Sequence, residues 1–271
     1  MTEPDLPRIL CPTCSSGEFN FPSDDSAQCP HCSATFPVEK GILKLLPESP
    51  GSRSLAQIFM EWDPLIHIYE GTLWRKNPLF TYGLFGISFK EEFEEVVNAA
   101  GLSESEVILD LACGPGIYSR PLAKKLKKGS VTGLDLSLPM LKYAVSHAGN
   151  EKIDNFIAVH GNALNLPFSV DQFDAVICCG AFHLFPDHER VLAEIRRILK
   201  PRGRFVAAVF YRRVPGSIGE FLAHMGKGLH GIHPLRPDWL EHKLLQAGFS
   251  NIKLHHAKRV WMIMSGEKSE P

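Results

Sequence analysis

Alternating apolar and amphipathic segments predict an α/β fold: a mostly parallel sheet covered by helices on both faces, finished by an antiparallel C-terminal strand and preceded by a small cysteine-rich segment. Three observations carry this expectation. After Gly101, short apolar runs alternate with helical stretches, as in successive βαβ units. A glycine turn follows the first of these runs and an acidic residue ends the second. Two C-x-x-C pairs stand ahead of the alternating region, separated from it by a stretch rich in Pro, Ser and Gly.

Residues 1–48 read as a zinc-ribbon-like domain. Cys11-Pro-Thr-Cys14 and Cys29-Pro-His-Cys32 flank a polar, turn-rich segment, and Gly41 to Leu46 reads as a short strand. Four thiolates in two tight knuckles suit tetrahedral zinc in a closed, structural site. The fourteen-residue spacer between the pairs is slightly shorter than the roughly 15–20 usual for such sites, which predicts a compact loop. Zinc would also supply stability that so short a segment cannot draw from a core. His31, inside a knuckle, is expected to be exposed and not a fifth ligand.

Pro47 to Ser54 reads as a linker, and residues 49–100 as a helical lid or linker region. Pro64, Asn77-Pro78 and Gly83 to Gly86 interrupt its helices, and aromatic residues from Phe59 to Phe89 crowd it. The main domain is expected over 101–271. Its strands are predicted at Val107–Leu111, Ser130–Leu134, Phe156–His160, Ala175–Cys179 and Gly203–Phe210, with helices at Ile117–Leu126, Met140–Ala148 and Glu189–Leu199. A helix from Pro237 to Ala247 ends at Gly248, and closely spaced runs at Ile252–His256 and Arg259–Met264 predict an antiparallel pair at the sheet edge. Five glycines between Gly216 and Gly231, with His224, His230 and His233, predict a mobile flap at about 211–235.

Composition narrows the function. Hydrophobic residues make up 44% and charged residues 22%, enough apolar material for a sizeable core. A net charge of −1 argues against a protein that grips nucleic acid mainly through phosphates. No run reaches ~18 uninterrupted apolar residues, so no membrane-spanning helix is expected. The N-terminus lacks the basic-then-apolar pattern of a signal peptide. Four of seven cysteines lie in C-x-x-C pairs, which reads as metal binding in a reducing compartment, the cytoplasm. Nothing in the sequence assigns an oligomeric state.

The turn Ala112-Cys-Gly-Pro-Gly116 follows Asp110 and opens a helix, and such glycines let the backbone approach a ligand that a Cβ would block. The further glycine of a dinucleotide fingerprint is replaced by Ser119, which fits a smaller ligand without a pyrophosphate. Asp135, nineteen residues after Gly116, can accept from both hydroxyls of a ribose. Asp110 has two readings, a carboxylate capping the turn or a ligand contact. Cys113 reads as a small turn residue.

These segments resemble the successive motifs of class I S-adenosylmethionine-dependent methyltransferases. They are Asp110-Leu-Ala-Cys-Gly-Pro-Gly116, Gly133-Leu-Asp135-Leu-Ser137-Leu-Pro-Met140, Gly161-Asn-Ala-Leu-Asn-Leu-Pro-Phe168, Gln172-Phe-Asp-Ala-Val176 and Leu199-Lys-Pro-Arg-Gly-Arg204. The match spans about residues 101 to 210 and implies a Rossmann-like sheet, S-adenosylmethionine as methyl donor, and an enzyme. It implies Gly114 and Gly116 beside the methionine part, Asp135 on the ribose, and Asn162-Ala163 along the adenine edge, with Ala112, Leu136 and Cys179 also at the cofactor. Asn162 stands where many relatives have aspartate, and its carbonyl oxygen still accepts. Pro115 and Arg202 are further departures, the latter where glycine is usual. Tyr69 and Arg75 in the lid are candidates to reach the cofactor carboxylate.

The cysteine-rich segment ahead of such a domain is similar to two groups, bacterial large-subunit ribosomal RNA guanine methyltransferases and plant plastid methyltransferase-like proteins. Leu65-Ile-His-Ile-Tyr69-Glu-Gly-Thr-Leu-Trp-Arg75 and the retention of Cys32 look more like the second. His183, after the fourth strand, is a candidate general base for the acceptor, with packing at a loop–helix junction as the alternative. The expected acceptor is a small hydrophobic or aromatic molecule. Methylation of ribosomal or other RNA is the runner-up, and a non-enzymatic S-adenosylmethionine-binding module the third reading.

Overall fold

A computed structural model describes residues 7–17, 19–46, 77–212 and 234–270. Eleven strands among them form one sheet in the order β1-β2-β3-β4-β7-β6-β5-β8-β9-β11-β10. The strands are β1 (Asn20–Ser23), β2 (Ser26–Gln28), β3 (Thr35–Glu39), β4 (Ile42–Lys44), β5 (Val107–Leu111), β6 (Ser130–Asp135), β7 (Phe156–His160), β8 (Phe173–Cys179), β9 (Leu199–Phe210), β10 (Phe249–Lys258) and β11 (Trp261–Lys268). The block from β4 to β9 is parallel throughout, and β11 and β10 close the far edge antiparallel. This is the Rossmann-like sheet of class I methyltransferases that the sequence predicts.

Side-chain alternation explains why the middle of the sheet is apolar on both faces. Val107, Leu109, Leu111, Val176 and Cys178 point into one core with Val191, Leu192 and Ile195 of helix α5 (His188–Ile198) and Leu240 and Leu244 of α6 (Pro237–Gln246). Ile108, Ala175, Ile177, Val206 and Ala208 point the other way, onto Val96, Val97 and Ala100 of α2 (Phe89–Ala100) and Leu122 and Ala123 of α3 (Ser119–Lys125). Two further helices, α1 (Pro78–Phe85) and α4 (Leu138–Asn150), precede α2 and follow β6.

Helix α2 is fixed at both ends by its sequence. Ser88 and Glu91 form a reciprocal capping box, and Gly101, at φ 58°, ends the helix with Leu102 N–H donating back to Val97 O. On its inner face the buried Glu92 carboxylate accepts from Tyr118 Oη at 2.5 Å and Trp261 Nε1 at 2.9 Å. Part of the predicted aromatic lid lies in this layer: Phe85 is buried 4.9 Å from the Trp261 ring. Tyr69, Arg75, the linker at 47–54 and residues 213–233 of the predicted flap lie outside the described residues.

Several boundaries differ from expectation, among them the start of β9 at Leu199 instead of Gly203, and two differences change how the sheet is built. The C-terminal strands extend further at their outer ends than predicted, and the two-residue turn between them falls at Arg259-Val260 instead of Ala257-Lys258, with Lys258 paired to Trp261. Arg259 takes φ 57° there without help from glycine or asparagine, so the sequence carries no turn signal. The cysteine-rich segment, expected to stand apart, joins the sheet: β4 pairs parallel with β7, Ile42 opposite Ala158 and Lys44 opposite His160. Among the described residues no helix is long and apolar enough to cross a membrane.

Candidate active site

The site forms where β5, β6, β7 and β8 end. β5 stops at Leu111, and the chain turns through left-handed backbone at Ala112 (φ 56°), Gly114 (φ 53°) and Gly116 (φ 79°) before α3 begins. Gly116 is required for space as well as for its angle, since a Cβ there would lie 3.0 Å from Ala144 Cβ on α4. The loop is lashed to the end of β6. Gly114 N–H donates to Asp135 Oδ2 at 2.7 Å, Ser137 N–H to Asp135 Oδ1 at 2.8 Å, and Cys113 N–H to Leu134 O at 3.2 Å. A carboxylate has about four acceptor sites, so Asp135 keeps capacity for a ligand diol while it holds the loop.

These ends enclose a cavity of about 440 Å³, within the range of small-molecule sites. Of the residues predicted at the cofactor, Ala112, Gly114, Asp135, Leu136, Asn162, Ala163 and Cys179 all line it. The side chain of Asn162 accepts Leu164 N–H at 2.9 Å through Oδ1, which fixes the turn and aims its amide along the cavity edge. Helix α5 grips the rest of this loop: Arg190 Nε donates to Leu164 O at 2.7 Å and Arg197 to Phe168 O at 2.6 Å and Leu166 O at 2.8 Å. Sequence reasoning missed the apolar wall Leu184, Phe185 and Pro186, and Met140 opposite it. The position of Leu184–Pro186 just past the carboxyl end of β8 was the available signal.

Three predicted residues sit elsewhere. Gly116 turns the chain behind the cavity. Asp110 is 2% exposed and its carboxylate accepts from Ser119 Oγ at 2.5 Å, so it braces the start of α3 instead of lining the cavity. Burial, reinforced by the negative charge of Asp135, pushes Asp110 up to about 7 against the pull of Ser119. His183 is buried in a short 3₁₀ turn, Phe182–Leu184, with its ring edge-on to Phe210 at 5.2 Å. It does not line the cavity, and this geometry favours packing over the role of base. The thiols of Cys113 and Cys178 are pushed well above their usual range by burial and by Asp110, so both stay protonated.

The four N-terminal cysteines converge as their spacing predicts. Their sulfurs all lie within 4.8 Å of one another, with Cys11 to Cys32 at 3.7 Å and Cys14 to Cys29 at 3.6 Å. The edge of a tetrahedron with metal–sulfur bonds of about 2.3 Å is roughly 3.8 Å, which these two separations match, and the remaining ones stay within 4.8 Å, so the four sulfurs form a candidate tetrahedral site. Amides of Cys32 and His31 aimed at Cys29 pull its thiol down to about 6. At Cys14 burial and the other three sulfurs outweigh the Ser16 amide and push the thiol up to about 12.

A family profile described as a methyltransferase domain matches residues 108–203, the stretch that builds this cavity. The demethylmenaquinone methyltransferase of Lactiplantibacillus plantarum is 40% identical over 173 residues, covering 56% of this chain and 73% of the relative. That of Listeria monocytogenes is 34% identical over 191 residues, covering 62% and 81%. The chain belongs to the class I S-adenosylmethionine-dependent methyltransferases. Solved structures agree on the fold. The YcgJ protein of Bacillus subtilis superposes at a TM-score of 0.58 with 18% identity, over 67% of this chain and all of that one. An S-adenosylmethionine-dependent methyltransferase from Aquifex aeolicus gives 0.54 with 20% identity, over 65% and 89%. In this methyltransferase, then, Gly114, Asp135 and the loop from Gly161 lie within the matched stretch and line one cavity.

Proposed function

We propose that this methyltransferase alkylates a small, apolar aromatic acceptor of the quinol class. The observation that carries the reading is the similarity to enzymes that act on demethylmenaquinone, which extends over 73% and 81% of their lengths. The apolar wall Leu184, Phe185 and Pro186, and the near-neutral net charge of −1, support it.

The chemistry asks little of the side chains beyond position. When bound, S-adenosylmethionine supplies an activated methyl group, and transfer leaves the carbon–sulfur electron pair on sulfur as the acceptor forms its new bond. Asp135 would hold the ribose diol, Leu136 and Ala163 would flank the adenine, and the backbone at Gly114 would let the methionine end approach. Donor and acceptor packed against Phe185 and Pro186 would displace water from this side of the cavity, so in-line orientation would supply much of the rate.

The four cysteines are assigned to a structural zinc ion, on the fit of their sulfur separations to a tetrahedron. With four protein ligands no position is left for substrate, and zinc takes no part in transfer. None of the seven cysteines forms a disulfide, which suits a reducing compartment, consistent with the cytoplasm.

The test is incubation of the purified protein with labelled S-adenosylmethionine and cell extract, separated into RNA, protein and solvent-extractable fractions. Label is expected in the extractable fraction and on a reduced, unmethylated naphthoquinone added as acceptor. Label found chiefly in RNA would reverse the assignment in favour of a nucleic-acid substrate.

A further inference from the structure

The cysteine-rich segment touches the cofactor cavity's supports at three separate places. Immediately before Cys11, the chain is tied to the loop that forms the adenine-side wall. Leu10 N–H donates to Pro167 O at 2.8 Å, Ser169 N–H to Arg8 O at 3.3 Å, and Arg8 N–H to Gln172 Oε1 at 2.9 Å. After Cys32, β4 pairs with β7, and Leu45 N–H donates to His160 O at 3.0 Å, one residue before Gly161 of the cavity. Between these points the ribbon meets α4, which begins under the cavity at Ser137 and Met140. Glu39 Oε1 on β3 lies 2.5 Å from Lys142 Nζ, and Ile42 is fully buried in a cluster with Leu141, Ala158 and the cavity-lining Cys113.

The cysteine cluster joins these anchors. Cys11 follows Leu10 directly, and Cys11 N–H donates to Ser16 O at 2.6 Å, closing the first knuckle. Cys29 and Cys32 close the second knuckle immediately ahead of β3. The two halves of the segment that hold opposite ends of the 161–168 loop are therefore brought together by four sulfurs, beside the edge-on contact of Phe19 with Phe36 and the buried Ala27. Without a central ion, four thiols at 3.6–4.8 Å have only weak sulfur hydrogen bonds to keep the knuckles together, and the clamp on the loop would slacken. The grip from α5 on Leu164, Leu166 and Phe168 would persist, so the loop would loosen at one side and not unfold.

We propose that zinc occupancy of the four-cysteine cluster sets the enzyme's affinity for S-adenosylmethionine, because the metal-closed ribbon forms the outer support of the adenine-side loop and of helix α4. The ribbon supports the donor site from outside the cavity and makes donor binding responsive to metal supply. This rests on the assignment of the cluster to zinc, and the measurements below separate the two claims.

The full chain is titrated with S-adenosylmethionine by calorimetry in three states: zinc-replete, stripped with a chelator, and reloaded with zinc. Metal content is counted in each state, and hydrogen exchange is followed by mass spectrometry. Stripping is expected to weaken donor binding at least fivefold and to speed exchange in 161–168, while β5 and β8 stay protected; reloading is expected to restore both. Ile42→Ala in the zinc-replete protein tests the support without touching a cysteine, and is expected to weaken binding in the same direction. Failure to bind zinc in any state overturns the zinc assignment and this proposal with it. Zinc lost with unchanged affinity, or an Ile42→Ala variant that binds the donor like the parent, overturns the coupling and leaves the zinc assignment standing.

Discussion

Asp110→Asn tests how the glycine loop is supported from behind. The carboxyl is buried and is pushed from 3.8 up to about 7, by burial first and then by the charge of Asp135. The unfolded chain releases this proton near pH 4, whereas the native state holds it to about pH 7. Between those values the native state binds more protons, so its stability falls as pH rises, and the loss levels off above pH 7. The asparagine is neutral throughout and keeps an oxygen to accept from Ser119 Oγ, as Asp110 does at 2.5 Å. Subtracting wild type from variant cancels every other titrating group. From pH 5 to pH 8 about two pH units of the shift are crossed, at roughly 1.4 kcal/mol each, which makes the expected relative gain on the order of 3 kcal/mol. For a chain of this size that is a difference of about 5–10 °C in melting temperature. Thermal melts of both proteins at pH 5, 6, 7 and 8 read it directly. A variant-minus-wild-type difference that stays flat across the series would refute the argument, because it would mean that Asp110 is ionised in the native state over that whole range.

Three other substitutions probe the same region. Asp135→Ala should weaken S-adenosylmethionine binding by about a hundredfold or more in calorimetry, since it removes two charge-assisted hydroxyl bonds of about 1.5–3 kcal/mol each and frees Gly114 N–H; a loss under tenfold would contradict the assignment of the ribose to this carboxylate. Gly116→Ala meets both φ 79° and a Cβ 3.0 Å from Ala144, and should cost about 2 kcal/mol in denaturant unfolding, whereas a neutral result would show that α4 can recede. Arg202→Gly should stabilise by about 1 kcal/mol, because Arg202 sits at φ 62° and its ion pair with Glu267 is exposed; a lower melting temperature would mean that the ion pair outweighs the backbone strain.

Much of the site was legible because its chemistry is local in sequence. A left-handed turn after a buried strand favours glycine, and an acidic residue ends the neighbouring strand, so single residues stand at fixed places: Gly114 and Asp135, which both line the cavity, and Gly116 behind it. Near-continuous apolar runs likewise marked β5, β8 and β9, since both faces of each are buried. Asp110 and His183 show the limit of that approach. Their residue types suit catalysis, but whether a side chain faces a cavity or a core depends on partners distant in sequence, here Ser119 for one and Phe210 for the other. Arg259-Val260 shows a second limit, because the β11 ladder to β9 imposes a tight turn on residues with no turn propensity.

The ribbon marks the deepest gap between sequence and structure, and the reason is physical. Its cysteines announce a metal site that closes on itself, which invites a boundary at residue 48. The strand that follows, Ile42-Leu43-Lys44, is only three residues long and too short for any pattern to declare its neighbour. Parallel pairing carries no turn to betray it, and β4 and β7 lie more than a hundred residues apart. Yet that pairing buries Ile42 against Cys113 and Leu141 and completes the edge of the parallel sheet beside the loop that holds Asn162. A strand added at this edge protects β7 from being an exposed edge and stiffens the one cavity wall that α5 reaches from only one side. The cysteine cluster and the cavity are therefore joined through one strand ladder, and under the proposed coupling a change in one has a direct mechanical route to the other.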